Sequence, residues 1–179
     1  MSKRPIAPLH GPGTVLRLLT RADLPRTLAW RNHERVRPAF IASSVISEET
    51  HRAWFDAYAE RDDDYVFLIE ARALGRPVGQ VSLYEIDWRA RTATFGRLLI
   101  GDDDALGRGL ASEATRLVID LAGSLGLREI RLDVFLANRR ASALYRNHGF
   151  EPYGARGDLI TMRRVIAPIT KPESTGRRE

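Results

Sequence analysis

Two glycines separated by one residue, Gly107 and Gly109, stand where an acidic turn gives way to a long amphipathic run, and this junction narrows the possible folds most. In DALGRGLASEA, residues 104–114, the glycines let the backbone turn sharply and approach another molecule closely, while Arg108 adds charge. Downstream, Leu110, Ala114, Leu117, Val118, Leu121 and Leu125 recur at helical spacing. Upstream, RTATFGRLLIG reads as a strand, with Gly96 suggesting a bulge or a close approach. A strand that runs through glycines into a helix gathers free backbone N–H groups and the positive helix end at one spot, an arrangement suited to phosphate. Ser112 stands where a dinucleotide fingerprint has its third glycine, and the Gly-Lys-Ser/Thr of a nucleoside-triphosphate loop is missing. Taken alone, these residues fit a plain structural turn as well as a pyrophosphate site.

The flanking segments set the architecture. GTVLRLLT reads as a strand, and RADLPRTLAWRNHE as a helix with Thr20 or Asp23 near its start and Pro25 in its first turn. SEETHRAWFDAYAE predicts a second helix, capped by Ser47 and favoured at its positive end by Glu48 and Glu49. DYVFLIEA, PVGQVSLYEIDW and RTATFGRLLIG predict three antiparallel strands. After the glycine-led helix come the strand EIRLDVF, a helix from Asn138 to about His148, and the strands FEPYG and DLITMRRVI. This order predicts a mixed α/β fold, one sheet of about seven strands flanked by about four helices.

A length of 179 residues suits one domain, expected over 13–167 between a flexible arm at 1–12 and a flexible tail at 168–179. No run approaches the roughly 20 apolar residues of a membrane span, and the N-terminus lacks the apolar core of a signal peptide, so the expected location is cytoplasmic with no membrane partner. The absence of cysteine removes disulfides, thiolate metal sites and cysteine nucleophiles. No metal site is expected: the three consecutive carboxylates of GDDDA point in different directions and read as a solvated loop. Of the formal charge of +5, the tails carry three through Lys3, Arg4, Lys171, Arg177 and Arg178 against Glu173 and Glu179. The body is near neutral, which argues against a nucleic-acid partner and leaves room for a local anion site.

In NRRASALYRNHGF, the residues Asn138, Ser142 and Tyr145 are spaced by four and three, so they lie along one stripe of a helix and point toward one groove. GRGLASEA, a strand, then NRRASALYRNHGF resembles the acetyl-CoA-dependent N-acetyltransferases of the GNAT superfamily, closely over residues 92–150. The resemblance implies a mostly antiparallel sheet in which a bulged strand opens a groove for CoA, with acetyl-CoA as cosubstrate. It implies that the backbone of Leu106, Gly107, Arg108, Gly109, Leu110 and Ala111 binds the CoA pyrophosphate. It also implies that Leu98, Leu99 and Ile100 pair with the pantetheine arm, which Asn138 contacts, with Ser142 on the same stripe. Tyr145 would stand near the thioester sulfur as general acid. Two positions depart from the family pattern: Asp104 stands where an Arg or Gln is frequent, and Thr94 where many members carry a glutamate.

An amine attacks a thioester only in its neutral form, so a base must take its proton. Glu85 and His51 are the candidates, with Asp87 beside the first. LAWRNHERVR and ISEETHRAWF resemble the N-terminal halves of GNAT enzymes that acetylate nucleotide-linked amino sugars, as in pseudaminic acid pathways. The match runs through WRN and through Ile46, Ser47, Glu49, His51 and Trp54. It implies a small-molecule amine acceptor contacted by Arg31, Asn32, Trp54 and Tyr84. Of Trp30, Trp54 and Trp88, at least two are expected in the core. Rival readings are a Rim-type acetyltransferase of protein N-termini, an antibiotic-modifying acetyltransferase and a non-catalytic acyl-CoA-binding domain. A monomer or homodimer is expected.

Overall fold

A computed structural model describes residues 3–167. The strands are β1 (Leu9–His10), β2 (Thr14–Leu18), β3 (Tyr65–Ala71), β4 (Arg76–Asp87), β5 (Thr92–Ile100), β6 (Glu129–Phe135), β7 (Glu151–Arg156) and β8 (Leu159–Val165). They form one sheet in the order β1-β2-β3-β4-β5-β6-β8-β7. Neighbours are antiparallel except β5 and β6, which run parallel. Four helices complete the mixed α/β fold: α1 (Leu24–Asn32), α2 (Glu48–Ala59), α3 (Leu110–Ser124) and α4 (Arg139–Asn147).

The strand beyond the seven expected is β1, whose two residues pair Leu9 with Leu16 and His10 with Val15. It is too short to show an alternating pattern. Residues 3–12, read from sequence as a flexible arm, have contacts with the domain. The Lys3 ammonium lies 3.1 Å from the Tyr58 ring centroid and donates to the Asp64 carbonyl at 2.6 Å. Burial lowers the Lys3 pKa to about 8. The Arg4 guanidinium sits 3.9 Å over the Trp88 ring. The tail expected at 168–179 lies outside the described residues.

Helices cover both faces of the sheet. Phe67, Leu83, Phe95, Val118 and Ile130 belong to the core on the α3 face, while Val66, Leu68 and Leu99 pack with Trp30, Phe55 and Tyr58 under α1 and α2. Successive side chains of a strand point to opposite faces, so a strand covered twice needs an unbroken apolar run, and YVFLI in β3 is fully buried throughout. The α2 helix starts as its sequence dictates, with Ser47 Oγ accepting from the Thr50 N–H at 3.1 Å. In α3 the expected stripe of Leu110, Ala114, Leu117, Val118 and Leu121 is buried. Each of its leucines and Val118 contributes roughly 1.5–3 kcal/mol when removed from water, leucines at the upper end.

Candidate functional site

The sheet opens in its middle. The β5 and β6 strands pair only through Thr92 with Glu129, Ala93 with Ile130 and Thr94 with Arg131. Beyond that, β6 continues with β8 on its other side, and β5 bends toward β4. The bend is a bulge: Gln80 faces Leu99 while Ser82 faces Gly96, leaving Arg97 and Leu98 opposite the single residue Val81. Sequence placed this irregularity at Gly96, but the positive φ of 51° belongs to Arg97. Gly96 has a separate constraint, since a Cβ there would come within 3.1 Å of the Tyr84 ring and hydroxyl.

A groove of about 640 Å³ fills the opening. Its β5 wall includes Leu98, Leu99 and Ile100, and its β6 wall Asp133, Val134 and Phe135. The three β5 residues are not equivalent. The Leu99 carbonyl is directed at Gly79 on β4, and its side chain is buried under α1 and α2. Alternation then turns the N–H and C=O of Leu98 and Ile100 toward the opening. There the Ile100 carbonyl accepts from both terminal nitrogens of Arg35 at 3.3 Å.

The glycine turn forms one end of this groove. Gly107 and Gly109 have φ of 73° and 75°, the left-handed conformation that a Cβ disfavours, and a Cβ at either would meet nothing within 4 Å. The constraint is therefore backbone shape and open space rather than internal packing. Gly109 caps α3, whose first N–H groups have no partner within the helix, and Leu106, Arg108, Leu110 and Ala111 around this start line the groove. The acidic loop before it was expected to be solvated. Asp103 and Asp104 are indeed exposed, but the loop is also tied down: Asp102 accepts from Trp30 Nε1 at 2.7 Å and from Arg76, Asp104 pairs with Arg76 at 2.7 Å, and Asp103 pairs with Arg35 at 2.8 Å. Arginines from β4 and from the α1–α2 connection converge on the loop and fix it. Arg108 Nε donates to the Asp104 carbonyl at 2.7 Å, which turns its guanidinium back along the same turn.

The opposite wall is α4. Asn138 lies just before the helix and caps it, with Oδ1 accepting from the Ala141 N–H at 3.1 Å, and it lines the groove. Ser142 and Tyr145 share the buried face, and the Ser142 Oγ is buried without a partner. Tyr145 also lines the groove, its ring edge-on to Phe95 at 5.8 Å and to Phe150 at 5.9 Å. Burial, helped by the nearby Tyr84, pushes its phenol up to about 12, so the group keeps its proton at any physiological pH.

Residues 14–151 match the family described as the acetyltransferase (GNAT) domain. The chain belongs to this family. It is an acetyl-CoA-dependent N-acetyltransferase by that membership. Solved GNAT structures share the fold. Spermidine N-acetyltransferase from Vibrio cholerae, determined with CoA and spermine, superposes with a TM-score of 0.79 at 23% identity, covering 87% of this chain and 97% of that one. FdhC, a nucleotide-linked sugar GNAT, gives 0.78 at 20% identity over 89% and 90%. A GCN5-related N-acetyltransferase from Brucella melitensis gives 0.74 at 18% over 91% and 80%. No curated protein sequence matches the chain significantly. Among the described residues, no helix is long and apolar enough to cross a membrane.

In this GNAT domain the α1–α2 face of the sheet carries the remaining candidates. Arg97 forms a two-pronged pair with Asp64, at 2.7 and 3.1 Å, and its guanidinium lies 4.1 Å over the Tyr84 ring. Glu85, also at a positive φ of 51°, is exposed and accepts from the Thr94 hydroxyl at 2.8 Å. His51 is not brought to the groove. Its helix turns it inward, where Nε2 lies 3.0 Å from Thr27 Oγ1 and the ring stacks on Trp54 at 5.4 Å. It faces a separate cavity with Leu24, Pro25 and Leu28, and burial lowers its pKa. Asn32 ties the α1–α2 connection together through both ends of its amide, bonded to the Ile46 carbonyl and N–H. Arg31 stacks 3.9 Å over Phe40, and its buried Nη1 has no partner.

Sequence reasoning missed Arg35, Val36 and Phe40, which reach the groove from the α1–α2 connection, and Arg140, which reaches it from α4. The connection has no periodicity to read. Arg140 could have been found as the neighbour, on the same helix, of residues already assigned to the groove.

Proposed function

We propose that acetyl-CoA lies in the groove with its diphosphate on the amides of residues 106–111 and its pantetheine along the open edge of β5 at Leu98 and Ile100. The observation that carries this reading is the meeting, in one groove, of two left-handed glycines at a helix start, an unpaired strand edge and Tyr145. Arg108 supplies positive charge beside the diphosphate, while Arg76 offsets the negative charge of Asp104. Asn138 faces the pantetheine with the amide nitrogen that its capping role leaves free; Ser142, expected from sequence at the same place, is buried behind the α4 wall rather than lining the groove, and has no part in this reading.

The cosubstrate supplies a thioester carbonyl; a C–N bond to the acceptor forms and the C–S bond breaks. The N–H groups on the open edge of β5 polarise the carbonyl oxygen. Tyr145 gives its proton to the departing sulfur as general acid. Glu85 receives the amine's proton, directly or through a water. Its hydrogen bond with Thr94 brings a carboxylate from β4 to the position where many GNAT members carry their own glutamate. His51 acts by supporting Trp54 rather than by touching the acceptor.

The acceptor is a small amine that also carries negative charge, a nucleotide-linked amino sugar. Arg31, Arg35 and Arg37 stand at or after the end of α1 with Glu34 the single acid over 31–47, and buried nitrogens of Arg31 and Arg37 lack partners. Arg35 is paired with Asp103, but Arg31 and Arg37 have no carboxylate partner among the described residues, and guanidinium groups left unneutralised favour phosphate and repel a polycation. Arg97 already lies over the Tyr84 ring, and His51 and Tyr58 stack on Trp54, so neither aromatic residue carries the acceptor assignment. The test is thiol release from acetyl-CoA with nucleotide-linked amino sugars, spermidine, aminoglycosides and N-terminal peptides side by side. Preference for the sugar nucleotides is expected; preference for spermidine, aminoglycosides or peptides overturns the acceptor assignment, and failure to bind CoA overturns the groove assignment.

A further inference from the structure

A hydrogen bond joins the two helices that flank the groove. Ser112 stands in the first turn of α3 and lines the groove, and its Oγ lies 2.8 Å from Nε2 of His148. His148 ends α4: its N–H reaches the carbonyls of Leu144 and Tyr145, and its own carbonyl accepts from Arg164 of β8. The backbone is pinned on both sides, and the ring reaches across to α3.

A serine hydroxyl has one proton to give. If Ser112 gives it to Nε2, none is left for a phosphate oxygen in the groove. If Nε2 carries the hydrogen and donates to Oγ, the Ser112 proton is free to turn toward the groove. The two arrangements differ in the imidazole tautomer, and an anion at the start of α3 selects the second.

We propose that His148 is a positioning residue for the coenzyme diphosphate, its Nε2–H donating to Ser112 Oγ so that the Ser112 hydroxyl donates to a phosphate oxygen. The inference rests on the reading of the groove as the acetyl-CoA site. Burial first, then Arg164 from β8 and Arg116 from α3, hold the imidazole below its usual pKa in the free protein. A bound diphosphate brings charge of the opposite sign. Coenzyme binding therefore draws a proton onto His148 on the acid side of neutrality, and affinity rises as pH falls.

Titration calorimetry of the full chain with CoA and dephospho-CoA tests this between about pH 6 and about pH 8. Dephospho-CoA lacks the monophosphate whose second ionisation, near about 6, titrates in the same range. His148→Leu and Ser112→Ala are each expected to weaken binding about 5- to 10-fold, and the double variant to be no more than about 2-fold worse than the weaker single, as for two members of one relay. His148→Gln can place an amide N–H where Nε2 stood; it is expected to bind within about 3-fold of the wild type but to lose the tightening at low pH. Melting curves in the same buffers verify that each variant is folded. His148→Leu binding like the wild type, additive losses in the double variant, or an unchanged pH slope in His148→Gln overturns the inference. Wild-type protein that binds neither coenzyme overturns the groove reading as well; wild-type binding with silent variants overturns the inference alone.

Discussion

From β5 to α4 the groove is made largely of backbone: a strand edge without a neighbour, two glycines in the left-handed region and the first amides of a helix. Across the sheet, on the α1–α2 face and outside the groove lining, the remaining candidates rest on side-chain pairs from different elements, such as Arg97 with Asp64, Glu85 with Thr94 and Arg31 with Phe40. A backbone site depends on conformation, so it tolerates most substitutions and fails at glycine. A side-chain site has no such single point of failure, and its residues can be exchanged one by one to accept another ligand. On the proposed reading, the first kind of site takes the cosubstrate and the second the acceptor.

The sharpest way to break this contrast is Gly109→Val, which forces a β-branched residue into positive φ and puts methyl groups where an anion must approach. A loss of about 100- to 1000-fold in kcat/KM for acetyl-CoA is expected, with a folded far-UV spectrum. Tyr145→Phe keeps the ring packing and removes the proton; steady-state kinetics should show kcat lower by about 100-fold with CoA affinity nearly unchanged. Glu85→Gln should lower kcat by about 10-fold with the acetyl-CoA KM unchanged, and an unchanged kcat removes Glu85 as the base. Arg31→Ala should raise the acceptor KM by about 5-fold while leaving the acetyl-CoA KM alone, which sharpens the division between the two sides.

The smallest effect concerns stability. His51 is held neutral by burial, below its usual pKa. The unfolded chain takes up a proton at about pH 6.5, the folded chain only at lower pH, so acid favours unfolding. The contribution of the neutral ring is complete above about pH 6.5 and is lost as pH falls through the folded value. Urea midpoints should decline over that window in the wild type and decline less in His51→Gln. His148 contributes with the same sign, so some slope remains.

The same contrast explains what could be read from the sequence. Ser47, Pro25 and the α3 stripe act locally, and the structure has the helices they predict. The glycine turn is visible because its two conformational requirements fall within three residues. The two-residue β1 and the contacts of Lys3 and Arg4 left no local trace, since they depend on Val15, Tyr58 and Trp88 elsewhere in the chain. Glu85 and Thr94 could be named separately, but their bond exists only because β4 and β5 pair with a shift between Tyr84 and Asp87. The carboxylates of GDDDA read only as a solvated loop, because the arginines they pair with, Arg76 and Arg35, approach from other elements.

The parallel seam between β5 and β6 is three residues long. Two slabs of sheet are thus stitched by a few rungs; if the coenzyme lies between them as proposed, it is the mortar of that joint, and resistance to heat and proteolysis would then gauge how much acetyl donor surrounds the protein.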